Sequence, residues 1–115
     1  KTKIIGFSGS RWYNGNINQY TEEQMARFVG KMRFTLWRQK GVDLVLTHAP
    51  PRFIHDAEDR CHRGFRIFRQ FIDKYQPPFL IHGHIHALFA GDEERITRVN
   101  STSVINSYGH FVCQI

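Results

Sequence analysis

Apolar positions along the chain change period several times, and each change marks an element. Ile4-Ile5-Gly6-Phe7-Ser8 reads as a short strand, and the stretch from Gly9 to Tyr20, dense in Gly, Asn and Ser, reads as a loop. Thr21 with Gln24 three residues later has the form of a capping box. Met25, Phe28, Val29, Met32 and Leu36 follow at helical spacing and Gly41 stands where a helix would end, which predicts a helix over 22–40. The run 42–47 is short, mostly apolar and followed by Pro50-Pro51, as suits a buried strand that stops abruptly. Phe65, Phe68, Ile72 and Tyr75 then share one stripe, and Pro77-Pro78 closes it, predicting a second helix over 61–76. With a strand at 79–82 this makes a βαβ unit, whose two strands should be parallel. Beyond His86 the segments 87–90, 95–99, 102–106 and 110–115 are short and punctuated by Gly and Asn, as expected of antiparallel strands and hairpins. The expected fold class is therefore α/β, with a parallel βαβ unit followed by antiparallel strands.

Length and composition narrow this reading. At 115 residues the chain is a single small domain, and 41% hydrophobic with 23% charged residues is a globular mix. Its apolar runs fall far short of the ~20 residues that a bilayer crossing needs, so no membrane span and no secretory apolar region are expected. Cys61 and Cys113 are the only cysteines and lie far apart, which fits a reducing, cytoplasmic setting. Sixteen Lys and Arg against ten Asp and Glu give a formal charge of +6, so an anionic partner is plausible, although a basic surface names no ligand. The second predicted helix carries Arg60, Arg63, Arg66 and Arg69 at intervals of three, a stripe that could track a nucleic-acid backbone. The same residues also make opposite-charge i,i+4 spacings, Asp56 with Arg60, Asp59 with Arg63 and Arg69 with Asp73, so a solvated salt-bridged face competes with it.

The chemistry concentrates in the histidines. Parallel sheets bind ligands beyond the carboxyl ends of their strands, and both carboxyl ends of the βαβ unit carry histidine. His48 lies in Thr47-His48-Ala49-Pro50-Pro51, and His84 and His86 lie in His82-Gly83-His84-Ile85-His86. Neighbouring strands lie only ~4.8 Å apart, so three imidazoles can converge. A glycine ahead of the alternating pair is expected to supply the sharp turn that faces both rings into one cavity. His82 ends the strand proper and reads as structural. His55 and His62, around the loop before the second helix, are substrate-contact candidates, and His110 begins the predicted last strand.

Thr47-His48-Ala49-Pro50-Pro51 and Gly83-His84-Ile85-His86 together resemble the later motifs of the calcineurin-like metallophosphoesterases, in the right order and joined by a helix. Ile105 to His110 resembles the family's closing strands more loosely. The resemblance implies part of an α/β/β/α sandwich and a phosphomonoesterase or phosphodiesterase with a binuclear metal centre and a metal-bound hydroxide. It implies that His48 and His84 hold one ion and His86 the other, with manganese, iron, zinc, cobalt or nickel as candidates. Three earlier motifs of the family are missing: an Asp-x-His, the Gly-Asp that supplies a bridging carboxylate, and a Gly-Asn-His. Gly15-Asn16 is followed by Ile17, and Gly91-Asp92 comes after the last histidine motif. With Lys1 in place of Met, the expectation is that residues 1–115 form the carboxyl-terminal half of such a fold. Alone, this piece is expected to bind at most one ion weakly, to lack the catalytic residues and to be inactive. Two other readings remain: a non-catalytic relic or interaction module of the same fold, and an Arg-rich nucleic-acid-binding domain. A truncated sheet is also expected to expose an unpaired edge, which favours self-association.

Overall fold

Residues 1–114 are described by a computed structural model. The chain runs β1 (Ile4–Phe7), β2 (Ser10–Arg11), β3 (Gln19–Tyr20), α1 (Glu22–Lys31), α2 (Arg33–Arg38), β4 (Leu44–Thr47), α3 (Arg66–Tyr75), β5 (Phe79–His82), β6 (Ile96–Val99) and β7 (Thr102–Asn106), with a 3-10 turn at Asp92–Arg95 before β6. Five strands form one sheet in the order β1-β4-β5-β7-β6, and β2 pairs with β3 apart from it. The predicted βαβ unit is present, with β4 parallel to β5.

Strand alternation divides the sheet into two unlike faces. Ile5, Val45, Leu80 and Val104 occupy one register row, and all are buried in a core shared with Met25 and Val29 of α1 and Phe68, Phe71 and Ile72 of α3. On the opposite face Ile4 is 58% exposed and Leu46 43%, so that face presents apolar side chains to solvent. Among the described residues no helix is long and apolar enough to cross a membrane.

Local chemistry explains the helix boundaries. The capping box forms as its spacing predicts: Gln24 N donates to Thr21 Oγ1 at 3.2 Å and Thr21 N donates to Gln24 Oε1 at 2.8 Å. The predicted 22–40 helix is broken at Met32 into α1 and α2, two residues after Gly30, a poor helix former. It ends through Lys40, at φ 60°, rather than at Gly41 alone.

The second helix begins at Arg66 and not at Cys61. Residues ahead of it are held by a neighbouring backbone, because Phe65 N donates to Pro50 O and Arg52 N donates to Phe65 O, both at 3.0 Å. Phe65 carries no side-chain acceptor to cap α3. Glu22 of α1 does so from across the fold, its two carboxylate oxygens accepting from Arg66 N (2.9 Å) and Ile67 N (3.0 Å). Arg60 and Arg63 therefore precede the helix, and the four-arginine helical stripe does not form. Of the three predicted i,i+4 pairs only Arg69–Asp73 is present, at 3.4 Å; Asp56 pairs with Arg52 and Asp59 with His62.

The last third departs further from expectation. β7 is parallel to β5, and only β6 runs antiparallel, so the terminal set is not wholly antiparallel. The chain first crosses to the sheet edge as β6, turns at Asn100-Ser101 and returns as β7 in the slot beside β5. Segments 87–90 and 110–114 are not strands, and Ile115 lies outside the described residues. Both segments gather at Arg95 instead. Its guanidinium sits over the rings of Phe89 (4.4 Å) and Phe111 (5.0 Å) and donates to the carbonyls of Asn106 and Tyr108.

Glu22→Ala should lower unfolding stability by about 1–2 kcal/mol, since two helix N–H groups lose a charged acceptor. Phe68→Ala should cost about 3–5 kcal/mol by leaving a core cavity. Both are read as shifts in the urea midpoint at constant slope; a Glu22→Ala midpoint equal to the parent's would remove the cross-fold cap from the account.

Candidate metal centre

Parallel register builds the site. Thr47 is opposite His82 in the β4–β5 ladder, so the next residues, His48 and Gly83, meet as the strands end, and Gly83 N donates to His48 O at 3.0 Å. One residue further on, His84 Nδ1 lies 2.9 Å from His48 Nε2, with ring centroids 4.5 Å apart. The structure thus brings two of the three predicted imidazoles into contact. His86 is exposed and stacks on Tyr108, its ring centroid 4.4 Å from the phenol ring. Burial, then the neighbouring His84 and His86 imidazoles, push His48 below its ordinary range and favour the neutral ring that binds a cation.

The sharp turn is made differently from the sequence expectation. Ile85 N donates to Gly83 O at 2.7 Å around His84, whose φ is 67°, the geometry of a γ-turn. The left-handed residue is therefore the histidine and not the glycine. Such a backbone in a residue with a Cβ costs of order 1–3 kcal/mol and persists only where its surroundings over-determine it. Here Asn106 Nδ2 donates to Ile85 O (3.0 Å), and Ser107 donates to His82 O through both its N (2.8 Å) and its Oγ (2.9 Å).

Tautomers follow from the partners. His84 Nε2 lies 2.7 Å from the carbonyl oxygen of Cys61, which can only accept, so Nε2 carries the proton and Nδ1 a lone pair facing His48. The loop ahead of α3 completes the surroundings. His62 stacks on His84 with centroids 4.9 Å apart, and its Nδ1 donates to Asp59 Oδ2 at 2.8 Å. Cys61 Sγ stands 3.8 Å from His84 Nε2. Cys61, absent from the sequence-based candidates, enters because Gly64 lets this loop lie against Pro50-Pro51. A Cβ on Gly64 would fall 2.5 Å from the Pro50 and Pro51 carbonyl oxygens. A lone cysteine beside a histidine in the primary sequence gives no signal that it will face a distant imidazole.

His82, buried, and His55, half-buried, form a separate pair. His82 Nδ1 donates to Gly83 O (3.0 Å), His55 Nδ1 donates to His82 Nε2 (2.8 Å), and His55 Nε2 accepts from Thr97 Oγ1 (2.7 Å). Both His55 nitrogens are engaged, leaving neither for a substrate. Burial drives His82 down to about 4, against the opposing pull of the Gly83 carbonyl. A cavity of about 420 Å³ opens beside His48 and His84, lined among others by Ser8, Ser10, Tyr13 and Gln19.

A family model described as calcineurin-like phosphoesterase matches residues 4–88. No curated protein matches the sequence. Among solved structures, one chain aligns over 90% of this chain with a TM-score of 0.57 and 22% identity, which speaks to the fold alone. This chain spans 39% of that one's length.

Gly83→Ala should change stability by less than about 1 kcal/mol, because its φ is not left-handed and the added Cβ meets nothing nearer than His48 O at 3.9 Å. Gly64→Ala should be severely destabilising and should broaden the His62 and His84 imidazole resonances; equal urea midpoints for the two variants would contradict this geometry. In chelator, stability should fall as pH drops from about 6.5 towards 4, because the unfolded chain binds a proton that folded His82 refuses. This proton contributes a slope of about 1.4 kcal/mol per pH unit, and His82→Gln should flatten it. An unchanged slope in that variant would exclude His82 as its source.

Proposed function

The chain belongs to the calcineurin-like phosphoesterase family, and on that premise we propose that it carries the histidine ligands of a metal-dependent phosphohydrolase acting on phosphomonoesters or phosphodiesters. The observation that carries this reading is the 2.9 Å approach of His48 Nε2 to His84 Nδ1 at the ends of two adjacent parallel strands. The donor set suits a borderline divalent ion: two neutral imidazoles, one with its other nitrogen fixed by a backbone carbonyl. In this reading His48 and His84 hold one ion, and His86, exposed beside Tyr108, serves a second. When bound, such ions supply Lewis-acid polarisation of a phosphoryl oxygen and acidification of water, so no covalent enzyme intermediate is required.

The chain's own residues bind and orient. The γ-turn at His84 presents Nδ1 towards His48, the Cys61 carbonyl holds the proton on Nε2, and the adjoining cavity receives the phosphoester against Ser8, Ser10, Tyr13 and Gln19. Among the described residues no carboxylate joins a group of three or more potential ligands. Two cations beside neutral imidazoles need anionic ligands to balance their charge. We therefore assign residues 1–115 to the carboxyl-terminal part of a longer fold, whose remaining part brings the Asp-x-His, Gly-Asp and Gly-Asn-His motifs and covers the open sheet face.

The 115-residue chain should bind manganese weakly and show no turnover of a chromogenic phosphodiester or phosphomonoester. A longer protein containing the three earlier motifs should turn one of them over in a chelator-sensitive way, with kcat/KM falling at least about 100-fold in His84→Ala. Turnover by the 115-residue chain that is lost in His84→Ala would overturn the division of the fold. Turnover indifferent to chelator would overturn the metal reading itself.

A further inference from the structure

The far side of His84 carries a second set of donors. One ligand atom each from Cys61, His62 and His84 lies within 4.8 Å of the others, the one such group of three among the described residues. Zinc binds thiolate at about 2.3 Å and imidazole at about 2.1 Å, so sulfur and nitrogen in a tetrahedral site stand about 3.6 Å apart. Cys61 Sγ and His84 Nε2, 3.8 Å apart, are already near that spacing. Asp59 accepts from His62 Nδ1 and leaves Nε2 as the lone-pair nitrogen, the carboxylate–histidine pairing that orients metal-ligating imidazoles.

We propose that Cys61, His62 and His84 form a divalent-cation site of thiolate–imidazole type that takes zinc and shares only His84 with the His48–His84 pair. A thiolate donor selects zinc over manganese or magnesium, because soft sulfur matches the softer ion. On binding, the Cys61 thiol loses its proton to solvent and the sulfur lone pair forms the metal bond. The His84 proton moves from Nε2 to Nδ1 and the His48 proton that faced it moves from His48 Nε2 to His48 Nδ1, so that His48 Nε2 accepts; Cys61 O gives up its 2.7 Å hydrogen bond and turns aside for the ion. His84 is neutral before and after. Because Nδ1 then bears a proton, His84 serves one ion at a time, and zinc on the Cys61 side excludes an ion between His48 and His84. The site stands on its own donors and does not depend on the phosphohydrolase reading.

The test uses the full chain in a Cys113→Ser background, stripped of metal, so that any thiolate signal reports on Cys61. Cobalt is added as a spectroscopic probe, and zinc is titrated against a chromophoric chelator. The parent should show a thiolate-to-cobalt charge-transfer band that Cys61→Ser abolishes. Zinc affinity should fall at least about 10-fold in both Cys61→Ser and His62→Gln, whereas His48→Ala, which removes no ligand, should keep the charge-transfer band at saturating cobalt. Circular dichroism of each metal-free variant checks folding, and His62→Gln decides the matter if Cys61→Ser does not fold. No charge-transfer band in the parent, or zinc affinities in Cys61→Ser and His62→Gln equal to the parent's, would overturn the site. Loss of the thiolate-to-cobalt band in His48→Ala at saturating cobalt would overturn this donor set. None of these readouts involves phosphoester turnover, so they are independent of whether the hydrolase reading stands.

Discussion

The parallel pairing of β4 with β5, in the register that sets Thr47 opposite His82, is the constraint on which the rest depends. It ends both strands at the same height and makes His48 and Gly83 neighbours through the Gly83 N to His48 O bond. A slip of one residue would turn either Val45 or Leu80 to the open face and expel that side chain from the core shared with α1 and α3. The register that packs the core is thus the register that brings His48 against His84. Stability and site geometry are consequences of one pairing.

A second layer is supplied by the loop between β4 and α3. Arg52 is buried and paired with buried Asp56 at 2.8 Å, while the same Asp56 carboxylate accepts from Gly64 N at 2.9 Å. Arg52 also donates to exposed Glu58 at 3.1 Å, so it is removal of Arg52, not of Asp56, that would leave a poorly solvated charge without its ion pair. This network and the close approach of Gly64 to Pro50-Pro51 fix the loop that delivers Cys61 and His62 to His84. His84 then sits between two unlike environments, with an imidazole facing Nδ1 and a carbonyl and a thiol facing Nε2. The left-handed backbone at His84, held by Asn106 and Ser107, keeps the ring in that position.

Charge and exposed apolar surface lie elsewhere in the fold. Arg11 bonds Glu22, and Glu22 caps α3, so one carboxylate joins β2, α1 and α3. The face bearing Ile4 and Leu46 also carries exposed Ile96 and, towards the β6 edge, exposed Arg98. Among the described residues α1 and α3 pack on the other face, against Ile5, Val45, Leu80 and Val104.

Much of this was legible in the primary sequence because it depends on local pattern. The capping box at Thr21, strands β1, β4 and β5, the βαβ unit and the placing of His48 and His84 at strand ends all follow from periodicity and from neighbours within a few residues. The start of α3, the parallel direction of β7, the absence of strands at 87–90 and 110–114, the His55–His82 pair and the approach of Cys61 were decided by the tertiary structure. Each depends on partners that local pattern did not connect: Pro50 with Phe65, β7 with β5, Arg95 with Phe89 and Phe111, His82 with His55, and Cys61 with His84. Periodicity records which face of an element is buried, and it is silent on which distant group will meet that face; the chemistry of His84 is set by such meetings.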